Sequence, residues 1–193
     1  MYKFEEFINE QEEQDQTSQV EVFCDLDGVL VDFERGFIEL PDNTEKLSPR
    51  AYEKKHGKNS IWKLIDKLGE EFWTGLYWMK DGRELWDYIK ENNPIILSAP
   101  SNHPGCITGK TIWVKQNLGI NQEPVRSPED VTPETRLILD KLKHKYVKCP
   151  TSILIDDTKE KIEKWTKAGG TGILHDDATD TIRVLDQYLN KND

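Results

Sequence analysis

The sequence predicts an α/β fold in three layers, a central parallel sheet with helices on both faces, and a small helical cap inserted after the first strand. Three observations predict it. From Pro94 onward, short apolar runs alternate with helical periods. Those runs are continuously apolar, as strands buried on both faces are, instead of alternating. The block from about residue 33 to 80 is too long for one crossover helix and is rich in charged and aromatic residues. The sheet is therefore Rossmann-like in its βα rhythm, with the insertion lying above it.

The elements follow in order. Residues 1–18 are a Glu- and Gln-rich, solvated lead-in in which Phe4, Phe7 and Ile8 favour a short amphipathic helix. The first strand is Val20 to Asp25. Within the insertion, AYEKKHG and SIWKLIDKLGEEFW carry helical periodicity. Asp81-Gly82 opens a helix that Asn-Asn-Pro ends. Ile95 to Leu97 is a strand, and Thr108 to Asn117 a helix with Ile112 and Val114 inward and Gly119 as its cap. Glu123 to Arg126 reads as a short strand and Pro133 to His144 as a helix. Ser152 to Ile155 is a strand, KEKIEKWTKAG a helix stopped by Gly169-Gly170, Gly172 to Leu174 a strand, and Asp180 to Leu189 the last helix. This divides the chain into a lead-in (1–18), a core (19–32 and 81–193) and a cap (33–80).

Composition excludes some functions. The chain has 193 residues, 32% of them charged, a formal net charge of -10 and a pI of about 5.0. Long nucleic acid and anionic membranes need basic surface, so neither is an expected partner, whereas one nucleotide in a local pocket is compatible. No apolar run approaches the roughly 20 residues of a membrane span, and MYKFEEFINEQ lacks the apolar stretch of a signal peptide. Cys24, Cys106 and Cys149 are odd in number and far apart. That suits a reducing cytoplasm better than a disulfide framework or zinc site.

The chemistry centres on VEVFCDLDGVLVD. In an extended strand, residues i and i+2 point the same way, so Asp25 and Asp27 leave the strand end together. A lone Asp-x-Asp-Gly is as readily a turn. But ligands of open α/β sheets bind at the carboxyl ends of the strands. There the second strand delivers Ser98, from IILSAPSN, and the strand SILI delivers Asp156 and Asp157. Carboxylates so gathered repel one another unless a hard cation joins them, and Mg2+ takes such oxygen ligands. Each element alone has a plainer reading, such as Asp157-Thr158 capping a helix. Their convergence on one edge is what favours a site.

With these residues in place, the chain resembles the haloacid dehalogenase superfamily of phosphatases. DLDGVLVDF looks like its first motif, Ser98 its second, a lysine its third and ILIDD its fourth. Within it, DLDGVLVDFERGF, FWTGLYWMKDGRELW, LSAPSNHPGCITGKTIWVKQNLG and ILIDDTKEKIEKWTKAGG resemble the 5'(3')-deoxyribonucleotidase family and its phage and bacterial relatives. The resemblance implies Asp25 as the nucleophile forming an aspartyl phosphate and Asp27 as general acid, then base. It implies Mg2+ held by Asp25, the Asp27 carbonyl and the fourth-motif pair, with Asp157 favoured as direct ligand and Asp156 through water. Ser98 would bind phosphate, with backbone N–H groups of Ala99 and Gly28 nearby. Among Lys141, Lys143, Lys145 and Lys148, the phosphate-neutralising lysine is taken as Lys143, then Lys145; VRSPEDVTPETRLI ahead of them looks like an insertion. Lys110 and Lys115 read as helix surface.

Phe33, directly after the first motif, and then Trp73 are the expected substrate contacts in the insertion. Arg126 is a third candidate, and His103 and His175 have no identifiable partner. The relatives' Thr-Ser pair is Ser98-Ala99 here, one hydroxyl fewer. The expected partner is a small phosphomonoester, foremost a nucleoside monophosphate. Alternatives are a sugar phosphate, a nucleic-acid 3'-phosphate, or a non-catalytic binding protein, for which loss of Asp25 or Asp27 would be expected. The setting implied is the cytoplasm of a bacterial or phage-infected cell; the oligomeric state is open, a homodimer being one arrangement.

Overall fold

The computed structural model describes residues 20–189. The lead-in, with the helix expected around Phe4 to Ile8, lies outside them. Five parallel strands form the central sheet in the order β5-β4-β1-β6-β7. They are β1 (Glu21–Cys24), β4 (Ile95–Ser98), β5 (Leu137–Leu139), β6 (Ser152–Asp156) and β7 (Thr171–Leu174). The chain runs from β1 to one side of the sheet, through β4 and β5, then returns to the other side for β6 and β7. The order therefore reverses at β1, which pairs with β4 (Cys24 beside Ile96) and with β6 (Cys24 beside Ile155). Such a reversal opens a crevice at the carboxyl ends of the central strands.

The strands sort their side chains by parity. Val22, Cys24, Ile96, Ile153 and Ile155 join one buried cluster, whereas Phe23, Ile95, Leu97 and Leu154 join the other. The first cluster is covered by α5 (Gly82–Ile89), α6 (Cys106–Leu118) and α8 (Ala178–Leu189), through Leu85, Ile89, Trp113, Val114 and Leu185. The second is covered by α7 (Lys159–Lys167), whose Trp165 meets Phe23 edge-on at 5.0 Å, and by the 3-10 turn Lys143–Tyr146. This is the three-layer α/β sandwich.

Between β1 and α5 lie β2 (Val31–Asp32), α1 (Phe33–Ile38), α2 (Pro49–His56), α3 (Ser60–Leu68), α4 (Glu70–Thr74) and β3 (Tyr77–Trp78). β2 and β3 pair antiparallel and bring the two ends of the excursion together. SIWKLIDKLGEEFW is two helices, not one, because Gly69 breaks it at φ 54°. Phe37, Ile61, Ile65, Phe72 and Trp73 share one buried cluster with Val22 and Cys24 of the sheet.

One element differs in type. Pro133 to His144 is not a helix: Leu137–Leu139 is the edge strand β5, and Thr132-Thr135 makes the turn before it. The run LIL is wholly buried and pairs in register with Ile96 to Ser98. Three apolar residues carry no period by which a strand can be told from a buried helix. The strand expected at Glu123 to Arg126 is reduced to one bridge, Val125 beside Ile138. In α6, Trp113 and Val114 are buried while Ile112 is only half-buried.

Candidate active site

β1 ends at Cys24, and the next residues turn tightly: the Leu26 carbonyl accepts from the N–H groups of Val29, Leu30 and Val31. This turn fixes Asp25 and Asp27 at the carboxyl edge. β4 ends on Ser98 and β6 on Asp156, so the four residues meet where the strand order reverses.

Asp25 is 1% exposed and its carboxylate is fully engaged. Oδ1 accepts from the Leu26 N–H at 2.7 Å. Oδ2 accepts from Lys143 Nζ at 2.7 Å and Lys161 Nζ at 3.1 Å. Burial pushes its carboxyl up, but the charges of Lys143, Lys161 and Lys110 outweigh that and hold it below the usual carboxylate range. Asp25 is thus an ionised carboxylate. Lys143, also buried, reaches Asp156 Oδ2 at 2.6 Å as well. Of the lysine candidates Lys143 alone meets the carboxylates. Lys145 is exposed, Lys141 bonds Asn102, and Lys148 pairs with Glu21 at the other end of the strand. Asp156 is pushed up to about 6 by burial and by the charge of Asp25.

One oxygen each from Asp25, Asp156 and Asp157 lies within 4.8 Å of the others. Asp156 is buried and Asp157 exposed. Gly28, at φ 80°, makes room for this group: a Cβ there would stand 2.3 Å from Asp157 Oδ2. Three hard oxygen donors around one point fit Mg2+. The Gly28 N–H, expected near phosphate, instead donates to the Val31 carbonyl at 2.9 Å. Gly28 serves the site through the side chain it lacks.

Two lysines change the sequence-based picture. Lys110 is not helix surface. It is 2% exposed, and its ammonium donates to Asp27 Oδ2 and, at 2.9 Å, to Ser98 Oγ. Burial lowers its pKa, but Asp27 and Asp25 more than reverse this, so it stays charged. α6 lies inward because Gly109 lets α4 approach: a Cβ there would meet Trp73 Cβ at 2.5 Å. The Gly-Lys pair in TGKT was the available signal. Lys161, on the first turn of α7, also reaches Asp25, though nothing in its sequence surroundings marks it.

Above these residues lies a cavity of about 1010 Å3, whose lining includes Asp27, Gly28, Ala99, Asp157 and Lys161. Phe33, Trp62 and Trp73 form an aromatic wall. Phe33 stands edge-on to Phe72 at 5.5 Å and tilted against Trp73 at 5.8 Å. His103 does have partners: Nδ1 lies 2.9 Å from Asp66 Oδ1 and its ring stacks on Trp62 at 4.4 Å. It ties the loop after β4 to α3 at the rim. His175 pairs with Thr181 Oγ1 at 2.8 Å. Arg126 is not brought to this cavity; it is exposed and lines an adjoining depression with Leu139 and Asp140. Among the described residues no helix is long and apolar enough to cross a membrane.

No family model and no curated protein sequence matches the chain. Solved structures do. A hydrolase from Streptococcus pneumoniae TIGR4 superposes with a TM-score of 0.51 at 13% identity, over 88% of this chain and 99% of its own. A HAD family hydrolase from Deinococcus radiodurans R1, solved with bound phosphate and sodium, gives 0.49 at 15% identity, over 87% and 89%. A HAD-superfamily hydrolase from Ehrlichia chaffeensis gives 0.45 at 15% identity, over 90% and 99%. At this identity it is the fold that is shared: the chain has the α/β architecture of the pneumococcal hydrolase over nearly its whole described length.

Proposed function

We propose that the chain is a phosphomonoester hydrolase of the haloacid dehalogenase superfamily that depends on Mg2+ and acts on nucleoside monophosphates. The observation that carries this reading is the surroundings of Asp25: a buried carboxylate between two lysines, with a second pair of carboxylates, at the carboxyl edge of a parallel sheet beneath a large cavity.

Asp25 attacks phosphorus, and the bond from phosphorus to the ester oxygen breaks. Asp27, on the cavity wall, enters this step in its protonated form and gives that proton to the departing alkoxide. It then takes a proton from the water that attacks the aspartyl phosphate; the bond from phosphorus to Asp25 breaks and phosphate leaves. Ser98 and Lys110 stand beside Asp27 as hydrogen-bond donors for phosphate oxygens. Lys143 keeps Asp25 and Asp156 together. Mg2+ bound to Asp25, Asp156 and Asp157 would offset the charge of carboxylate and phosphate.

Phosphate alone does not fill about 1010 Å3; the volume is that of a site for a drug-sized ligand. The wall of Phe33, Trp62 and Trp73 suits a base, whose stacking contributes roughly 1–3 kcal/mol. The acidic chain, at net -10, favours a single nucleotide over a polynucleotide end. The test is phosphate release from a panel of nucleoside monophosphates and sugar phosphates with Mg2+. Nucleoside monophosphates should give the higher kcat/KM, and Phe33→Ala should remove the advantage. A preference for sugar phosphates, unchanged in Phe33→Ala, contradicts the nucleotide reading.

A further inference from the structure

The first turn of a helix carries its positive end and favours acidic residues. α7 opens Lys159-Glu160-Lys161, with two cations where local preference asks for acids. Lys159 is exposed and, among the described residues, pairs with Glu163 at 3.8 Å. Lys161 turns inward instead. Its Nζ lies 3.1 Å from Asp25 Oδ2 and 3.6 Å from Asp156 Oδ1. These belong to two of the three carboxylates that can gather around one ion.

The two lysines at Asp25 differ in freedom. Lys143 is sealed in, bonded to Oδ2 of both Asp25 and Asp156. Lys161 is 30% exposed along its side chain, lines the cavity and faces Oδ1 of Asp156, whereas Lys143 bonds Oδ2. An ammonium at these distances and a divalent ion on the same carboxylates face each other at close range. Their repulsion is relieved when the lysine, on its flexible stem, moves into the cavity. We propose that Lys161 is a tethered counter-cation of the metal site: it compensates Asp25 and Asp156 in the metal-free protein and competes with the divalent ion for them. The inference rests on Asp25, Asp156 and Asp157 being the metal ligands. Its consequence is a metal affinity set below what the carboxylates alone would give.

Calorimetric titration of MgCl2 into the full chain tests this without substrate, comparing wild type with Lys161→Met and with Lys159→Met, which makes the same change in net charge. Lys161→Met should bind Mg2+ about tenfold more tightly or better, and Lys159→Met within about twofold of wild type. In EDTA, Lys161→Met should melt below wild type, with the gap closing at saturating Mg2+. Wild-type binding with no gain in Lys161→Met overturns the inference and leaves the metal site standing. Absence of binding heat in wild type and both variants overturns the metal site and the inference together.

Discussion

At the scale of single residues, the site is built from carboxylates and ammonium groups that neutralise one another out of water. A buried charge is tolerated only when paired. Asp25 with Lys143 is such a pair, and the buried Lys110 is matched by Asp27, whose own carboxylate opens onto the cavity. Their placement divides the labour: Lys143 holds the residue that attacks, Lys110 the residue that moves the proton. Lys110→Met should therefore lower kcat about 10- to 100-fold for an alkyl phosphomonoester. The loss should be smaller for 4-nitrophenyl phosphate, whose leaving group needs no proton, so that only the contact of Lys110 with phosphate is missed. Equal losses on both substrates would show that Lys110 acts only on phosphate or on folding. Lys115→Met, on the exposed side of the same helix, is the control.

At the scale of elements, α6 and α4 meet almost backbone to backbone. A Cβ at Gly105 would stand 2.3 Å from the Glu70 nitrogen, and one at Gly109 2.5 Å from Trp73 Cβ and 2.8 Å from the Glu70 carbonyl. This contact places both Lys110 and Trp73 at the site. Gly109→Ala should destabilise the chain by about 1–3 kcal/mol, read as a lower urea midpoint, and should raise KM by displacing Trp73. An unchanged midpoint would mean that α4 is loosely held. The same contact explains what the sequence hid. Lys110 sits in a helix whose apolar residues do not fall on one face, so no periodicity marks its side as inner. RLIL is too short to show a period, and β5 is recognisable only from its pairing with β4. By contrast Asp25, Ser98 and Asp156 were legible, because each ends an apolar run and a parallel sheet puts all strand ends of one sense at one edge. Lys161 was not, because its role depends on which way α7 faces, and one exposed-looking lysine among four in KEKIEKWTK carries no such mark.

At the scale of the molecule, the strand order decides where chemistry happens. β1 sits between the two halves of the sheet, so the acids that follow it meet Ser98 from one half and Asp156-Asp157 from the other. The excursion between β1 and β4 adds the aromatic wall, and its buried residues are continuous with the sheet's first face. Every step of the proposed hydrolysis passes through Asp25. The direct measurement is the rate of phosphate release from a nucleoside monophosphate at saturating Mg2+, for wild type and for Asp25→Asn with its fold checked by circular dichroism. The prediction is release by wild type that EDTA abolishes and a folded Asp25→Asn with none. A folded Asp25→Asn that hydrolyses at the wild-type rate, or a wild type inactive on every phosphomonoester tried, would contradict it.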